Sequence, residues 1–351
     1  MKTFLKVIKV FFLVVLVNVV IVFGIRFYNR SQTAKLEKLD PNYKLDKFYS
    51  DEDLKDVSSL NIPGVTVSNV KGEKINGYHL VPDDIVHSGV VVTFGGSEGS
   101  TNFNYAADIA KNGYEVYAMH FFNAEGLPEE LLNVPLENFQ NIVSEIEKTA
   151  KNPRPLTLLG GSKGAEYVLE LSTRYPDDID NIVLFAPSAY VFQGLSFTDR
   201  TAHSSWTWGG EEVPFLSFEN LDGSVGFKLF SGMLLGKPMH YNPTYLALIE
   251  DMDNMSDDVR IKVENSKANA LIFAGGDDQM WPTAKMTKII EEKYAGELEV
   301  KIFENAGHIF YGPPVIQNMV MGGEYGANVD AKIESDKILY EKLNEWMPAV
   351  N

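Results

Sequence analysis

Short apolar runs of strand length recur along most of the chain, separated by stretches with helical spacing. Residues 90–94, 114–121, 156–159, 182–185 and 270–274 are predominantly apolar on both alternating faces, the pattern of strands covered on two sides. Between and after them, residues 105–111, 136–148, 164–174 and 283–293 carry apolar positions three and four apart, which predicts helices. A strand at 298–303 and an amphipathic helix over 331–347 complete the series. Such alternation predicts an α/β fold with a mostly parallel sheet and helices on both faces. Ahead of it, residues 65–70 and 75–81 read as a hairpin joined across Lys71, Gly72 and Glu73. From 186 to 269 the rhythm breaks. That stretch is aromatic, glycine-rich and too long for a crossover, which predicts a cap inserted over the strand ends.

The N-terminus follows another pattern. Lys2, Lys6 and Lys9 precede an uncharged run from residue 10 to 25, interrupted only by Asn18 and closed by Arg26. As a helix this run spans about 24 Å, which snorkelling lysines extend toward a hydrocarbon core of about 30 Å. Bulky Val22, Phe23 and Ile25 stand where a signal cleavage site would need small residues. Residues 1–30 are therefore expected to be an uncleaved single-pass anchor, with secretion after cleavage as the alternative. Basic residues ahead of the run predict a cytoplasmic N-terminus and a catalytic domain outside the cytoplasm. Residues 31–58 are polar, charge-rich and broken by Pro41, a linker or stalk. Residues 59–351 are expected to form one domain.

Composition narrows the chemistry. The net charge is −17, and the first 30 residues carry only basic charge, so the remainder is more acidic still. No Lys/Arg block is present to bind phosphates, which argues against a nucleic-acid partner. The absence of cysteine excludes disulfides, thiolate catalysis and cysteine-ligated metals. Asp251, Asp253, Asp257 and Asp258 form an acidic run without the glycine and terminal glutamate of an EF-hand loop, and read as a solvated helix terminus. No metal and no cofactor is expected.

The stretch LTLLGGSKGAE, residues 156–166, carries the chemistry. It reads as strand, sharp turn and helix, and its turn matches G-x-S-x-G through Gly160, Ser162 and Gly164, a nucleophile elbow. An elbow serine needs a base and an orienting acid, and on this kind of sheet they follow in the order Ser, Asp, His, each after a strand. After the strand at 270–274 comes Gly275-Gly276-Asp277-Asp278, and after that at 298–303 comes Asn305-Ala306-Gly307-His308. Ser162, Asp278 and His308 are thus the expected triad of an α/β-hydrolase. Asp277 competes with Asp278, and its other reading is a helix cap or hydrogen-bonded support. The oxyanion needs two backbone N–H donors: Lys163, directly after the nucleophile, and Gly96 or Ser97 from the loop after the strand at 90–94. The Lys163 side chain, a cation in the first turn of a helix, hints at substrate contact. Cap residues His203, Trp206 and Trp208 are candidates to line an acyl pocket.

Several ordered motifs extend the pattern: GGSKGAE at the elbow, SSWTWGGEEVPF from residue 204, VEN before the next strand, FAGGDDQMWP, NAGHIFYGPP and the late GGEYGANVDAK. Together they resemble the C-terminal domain of acyl-CoA thioester hydrolases and bile acid-CoA:amino acid N-acyltransferases, over roughly residues 59–347. The resemblance implies an α/β-hydrolase with its triad at Ser162, Asp278 and His308. It also implies chemistry on acyl groups carried by CoA. In that family the nucleophile is serine or cysteine, cysteine accompanying transfer to amino acids, so a serine implies hydrolysis. The animal members carry a β-sandwich before the hydrolase, for which residues 31–58 are too few. Export of the domain and its anionic surface both count against CoA itself as the leaving group.

The expected function is cleavage of an acyl ester or thioester, a small-molecule substrate, through an acyl-Ser162 intermediate by a membrane-anchored serine hydrolase. Two alternatives stand beside it: acyl transfer to a small or surface acceptor, and an idle hydrolase fold that only binds.

Overall fold

The structure, a computed structural model, describes residues 2–39, 48–50, 52–196, 198–199, 201–250 and 257–350. An eight-stranded sheet organises it. Its strands are β1 (Val65–Gly72), β2 (Ile75–Pro82), β3 (Val90–Phe94), β4 (Glu115–Met119), β5 (Leu156–Gly161), β6 (Asn181–Phe185), β7 (Asn269–Gly275) and β8 (Leu298–Phe303). They lie side by side in the order β1-β2-β4-β3-β5-β6-β7-β8. The β1/β2 hairpin and the β2/β4 pair are antiparallel, and every other neighbour is parallel. The hairpin turns one residue pair later than its glycine suggested, at Glu73 and Lys74, where Lys74 takes a positive φ of 57°.

The apolar runs read as two-sided strands because each alternates between two cores. Val90, Val92, Leu158, Ile182, Leu184 and Ile272 bury on one face, while Val91, Leu159, Val183, Leu271 and Phe273 bury on the other. On the first face pack α3 (Phe139–Thr149), α4 (Lys163–Arg174) and α7 (Thr283–Lys293). On the second pack α2 (Phe103–Lys111) and α8 (Tyr325–Trp346). Helix α8 begins six residues before the expected start because tertiary contact recruits its first turns. Asn328 in that added stretch is buried and accepts from Gly307 N–H (2.8 Å).

At the N-terminus α1 runs from Lys2 to Leu36, beyond the expected anchor. It is the one helix among the described residues long and apolar enough to cross a membrane, and its apolar window is wholly unburied. Its far end docks on the domain, where Thr33 is buried and Asn318 N–H donates to Glu37 Oε1 (2.7 Å). Much of the expected linker, residues 40–47 and 51, lies outside the described residues. Tyr49 is part of the domain's second core, packed edge-on against Phe103.

Residues 186–269 hold α5 (Gly223–Leu234), α6 (Asn242–Glu250) and the short strands Trp206–Trp208 and Glu211–Glu212; the first pairs with Val134–Pro135 on one side and with the second on the other. Asp251 and Asp253 lie outside the described residues. Asp257 pairs with Arg260 (2.8 Å) and Lys262 (2.5 Å), and hydrogen bonds from both hold its carboxyl below the usual carboxylate range. Among the described residues, no group of three or more His, Asp or Glu side chains is placed to hold a metal.

Leu158 is fully buried at the centre of the sheet, opposite Val92 on one side and Ile182 on the other. Leu158→Ala is expected to cost about 3 kcal/mol, read as a lowered urea midpoint with an unchanged slope.

Candidate active site

Strand β5 gives way to α4 through a single residue. Ser162 adopts φ 54° and ψ −120°, outside the regions open to ordinary L-residues, at a cost of about 1–3 kcal/mol. Its N–H donates to Phe185 O at the end of β6 (2.8 Å). Crowding around the turn explains the two glycines. A Cβ on Gly160 would stand 2.3 Å from Gly164 O, and one on Gly164 would stand 1.9 Å from Gly95 O. Both are closer than any Cβ contact, so the elbow exists only with glycine at these positions.

Parallel strands bring the other groups to the same edge. His308, in the loop after β8, places Nε2 2.9 Å from Ser162 Oγ, and its Nδ1 lies 2.8 Å from Asp278 Oδ2. With Nδ1–H donating to the carboxylate, Nε2 is left to accept the serine proton. Asp278, after β7, is 3% exposed and densely held. Its Oδ2 also accepts from Thr283 Oγ1 (2.5 Å), and its Oδ1 accepts from Met280 N–H (2.8 Å) and Trp281 N–H (3.2 Å). Trp281 stands edge-on to the His308 ring at 5.8 Å. Adjacent Asp277 points elsewhere, accepting from Gly323 N–H (2.9 Å) and Gln279 Nε2 (2.7 Å). The late GGEYG motif therefore braces the acid loop.

The oxyanion candidates meet at Ser162. Lys163 N–H opens α4, where the first N–H groups have no intrahelical acceptor. A Cβ built on Gly96 would fall 3.3 Å from Ser162 Cβ, which puts the Gly96 backbone beside Ser162. Its N–H donates to Glu98 Oε1 (2.9 Å), a carboxylate that also accepts from Ser100 Oγ (2.5 Å). Ser97 is exposed on the same loop.

The side chains expected at substrate lie elsewhere. Lys163 turns inward and is 2% exposed, with Nζ donating to Glu166 Oε1 (2.8 Å) and Oε2 (3.0 Å), Ser205 Oγ (2.8 Å) and Phe192 O (3.2 Å). Burial lowers the Lys163 pKa and raises that of Glu166, and their mutual attraction opposes both shifts. Trp206 is fully buried, spends its indole N–H on Glu166 Oε1 (2.9 Å) and packs against Tyr167 and Phe121. Trp208 lies under the Arg174 guanidinium at the far end of α4, about 18 Å of helix from the elbow. His203 pairs with Glu212 and Asp199. Lys163 and Trp206 tie the 186–269 segment to the first turn of α4, Trp208 packs on the last residue of that helix, and His203 is paired within the segment itself. Sequence reading missed Glu166, Thr283, Trp281 and Glu98. The only advance signal was Glu166 three residues after Lys163 on a predicted helix, the spacing of an ion pair.

Fold and site together define an α/β-hydrolase with a serine–histidine–aspartate constellation at the sheet's edge. Within that class, residues 134–321 match the family model described as BAAT / Acyl-CoA thioester hydrolase C terminal, more than half the chain, and the chain belongs to that family. Human acyl-coenzyme A thioesterase 6 is 24% identical over 291 residues, 78% of this chain and 63% of that protein. Rat acyl-coenzyme A amino acid N-acyltransferase 2 is 27% identical over 139 residues, 39% of this chain and 33% of that protein. The chain thus spans less than two thirds of the curated relatives it matches. The Pyrococcus furiosus esterase Pf2001 superposes with a TM-score of 0.50 at 12% identity, covering 88% of this chain and 99% of that one, a likeness of fold.

The Lys163–Glu166 pair makes a stability prediction. Lys163→Met strands a buried carboxylate and is expected to cost about 3–5 kcal/mol, whereas Lys163→Met/Glu166→Gln should recover at least half of that in urea denaturation. Equal losses in the single and double variants would show that the pair is not coupled.

Proposed function

We propose that this protein is a serine hydrolase that cleaves an acyl thioester or ester through an acyl-Ser162 intermediate. The observation that carries the reading is the hydrogen-bonded line from Ser162 Oγ through His308 to Asp278 on a strained elbow. His308 Nε2 takes the serine proton as Oγ attacks the acyl carbonyl, and returns it to the departing thiol or alcohol. Asp278 holds the imidazole by Nδ1–H and faces the imidazolium that forms. Water then attacks the acyl-enzyme by the same route, releasing the carboxylic acid. The N–H groups of Lys163 and Gly96 are the proposed oxyanion donors, with exposed Ser97 the alternative to Gly96. An acyl oxygen at Gly96 displaces the Glu98 carboxylate from that N–H.

Support for an acyl thioester comes from the family and from relatives named thioesterases. A second reading, acyl transfer, draws on the relative named an N-acyltransferase. There an amine or alcohol replaces water in the second step, and product analysis with acceptor and water in competition separates the two. We further read residues 59–351 as one hydrolase domain with 186–269 as its cap. In this reading α1 is a single-pass anchor, and Lys2, Lys6 and Lys9 hold its start on the cytoplasmic side.

A fluorophosphonate probe is expected to label the purified protein on Ser162. Ser162→Ala should abolish labelling and lower acyl-ester turnover by about 10⁴-fold or more. Absence of labelling beside an active control hydrolase would remove the serine mechanism, and unchanged turnover in Ser162→Ala would move the chemistry to another residue.

A further inference from the structure

Helix α5 presents its apolar side outward. Gly223, Gly226, Phe227, Phe230, Met233 and Leu234 follow one another at three- and four-residue spacing and all face solvent. Phe227 is 69% exposed, Phe230 58%, Met233 53% and Leu234 47%. Val225 and Leu229 turn toward the protein and are only partly covered, and the helix buries no residue fully. A surface helix of a water-soluble domain has the opposite arrangement. The only charge between Gly223 and Leu234 is Lys228, in a chain of net charge −17.

What adjoins this face is α1. Arg26, the residue that closes the apolar run, donates from Nη1 to Met233 O (2.9 Å) and Leu234 O (3.1 Å), and Asn29 Nδ2 donates to Leu235 O (2.8 Å). A guanidinium on the last carbonyls of a helix is also favoured by the helix dipole. Gly236 lies so close that a Cβ there would stand 2.8 Å from Arg26 Cγ and 3.0 Å from Arg26 O. Leu234 and α1 from Val14 to Phe23 line one open apolar cleft. The exposed face of α5 is therefore continuous with the apolar surface of α1, at the level where that surface meets its first closing charge.

We propose that the Phe227, Phe230, Met233 and Leu234 face of α5 lies in the outer part of the same bilayer that α1 spans, a second membrane contact made by the cap segment. The inference rests on the reading of α1 as a membrane span. Interfacial helices bury their apolar face about 5–10 Å into the headgroup and acyl boundary, within reach of Phe and Met side chains, while Lys228 extends toward lipid phosphates. The contact is tied to the site. Met239 N–H donates to Asn318 O (2.8 Å), Val320 N–H to Met239 O (2.9 Å), and His308 N–H to Met321 O (2.8 Å). Asn242 Nδ2 donates to Asp278 O (2.6 Å). The segment after α5 thus braces both the acid and the histidine loops. A bilayer held against α5 positions the hydrolase beside the phase in which long acyl chains dissolve.

The test uses the full chain, whose lack of cysteine makes any introduced thiol unique. Phe230→Cys, Leu16→Cys on α1 and Lys288→Cys on the exposed side of α7 are each nitroxide-labelled. The proteins are placed in phosphatidylcholine/phosphatidylglycerol vesicles, and relaxation by oxygen is compared with relaxation by a water-soluble nickel chelate. Retained fluorophosphonate labelling selects folded protein, and Met233→Cys replaces Phe230→Cys if the latter fails that criterion. The expected result is an oxygen-to-nickel collision ratio severalfold higher at residues 16 and 230 than at 288. Immersion of residue 16 with nickel access at 230 overturns the α5 contact and leaves the anchor standing. Shielding of 230 from both reagents, as under a second copy or a protein partner, also overturns it. Nickel access at residue 16 removes the anchor reading and the α5 contact together, with the hydrolase reading untouched.

Discussion

Where the chain leaves β5 for α4, it reverses through one residue whose backbone is held at φ 54°. The rest of the structure near the site depends on that strain being sustained. It is sustained by packing, since the carbonyls of Gly164 and Gly95 press into the space where Cβ atoms on Gly160 and Gly164 would be. It is sustained by hydrogen bonding as well, through Ser162 N–H on Phe185 O. The result lifts Oγ above the sheet edge, where loops from two other parallel strands deliver His308 and Asp278. Sheet order does this work: β5, β6, β7 and β8 are consecutive neighbours, so their C-terminal ends converge.

A second layer secures the helix that follows Ser162. Lys163 and Glu166 form a buried ion pair whose remaining bonds go to Phe192, Ser205 and Trp206. Taking two charges out of water is expensive, and that cost is offset only when each finds several partners. Here the partners come from the segment after β6, so the pair fastens that segment to the first turn of α4. The same turn presents the Lys163 N–H beside Ser162. A residue that reads as a candidate substrate contact acts through its side chain as a tie, which leaves only its backbone N–H facing the proposed site.

The apolar surface shared by α1 and α5, proposed to meet a membrane, has a different physical logic. Apolar surface on α1 and α5 is not buried by protein, and its two components are held together by polar bonds from Arg26 and Asn29 to carbonyls that end α5. A soluble domain normally turns such stripes inward, because about 25 cal/mol is forfeited per Å² left in water. A lipid phase reverses that balance.

Much of this was legible in the sequence for identifiable reasons. Strands buried on both faces write continuous apolar runs, and an elbow leaves two glycines around a serine because nothing larger fits. The triad order follows from strand order, so Ser162, Asp278 and His308 could be named before their separations were known. The apolar run after Lys9 needs no tertiary partner to be recognised. Tertiary structure alone decided which way side chains point. Asp278 rather than Asp277 faces His308 because neighbouring residues at a strand end diverge. Lys163 and Trp206 turn from the site because buried partners claim their polar atoms, and Trp208 because its ring packs on Arg174 and Tyr175 at the far end of α4. The outward face of α5 could not be read from its composition, since apolar residues at helical spacing look the same whether they meet a core or a membrane. Periodicity records which residues share a face, and only the packed chain determines what that face meets.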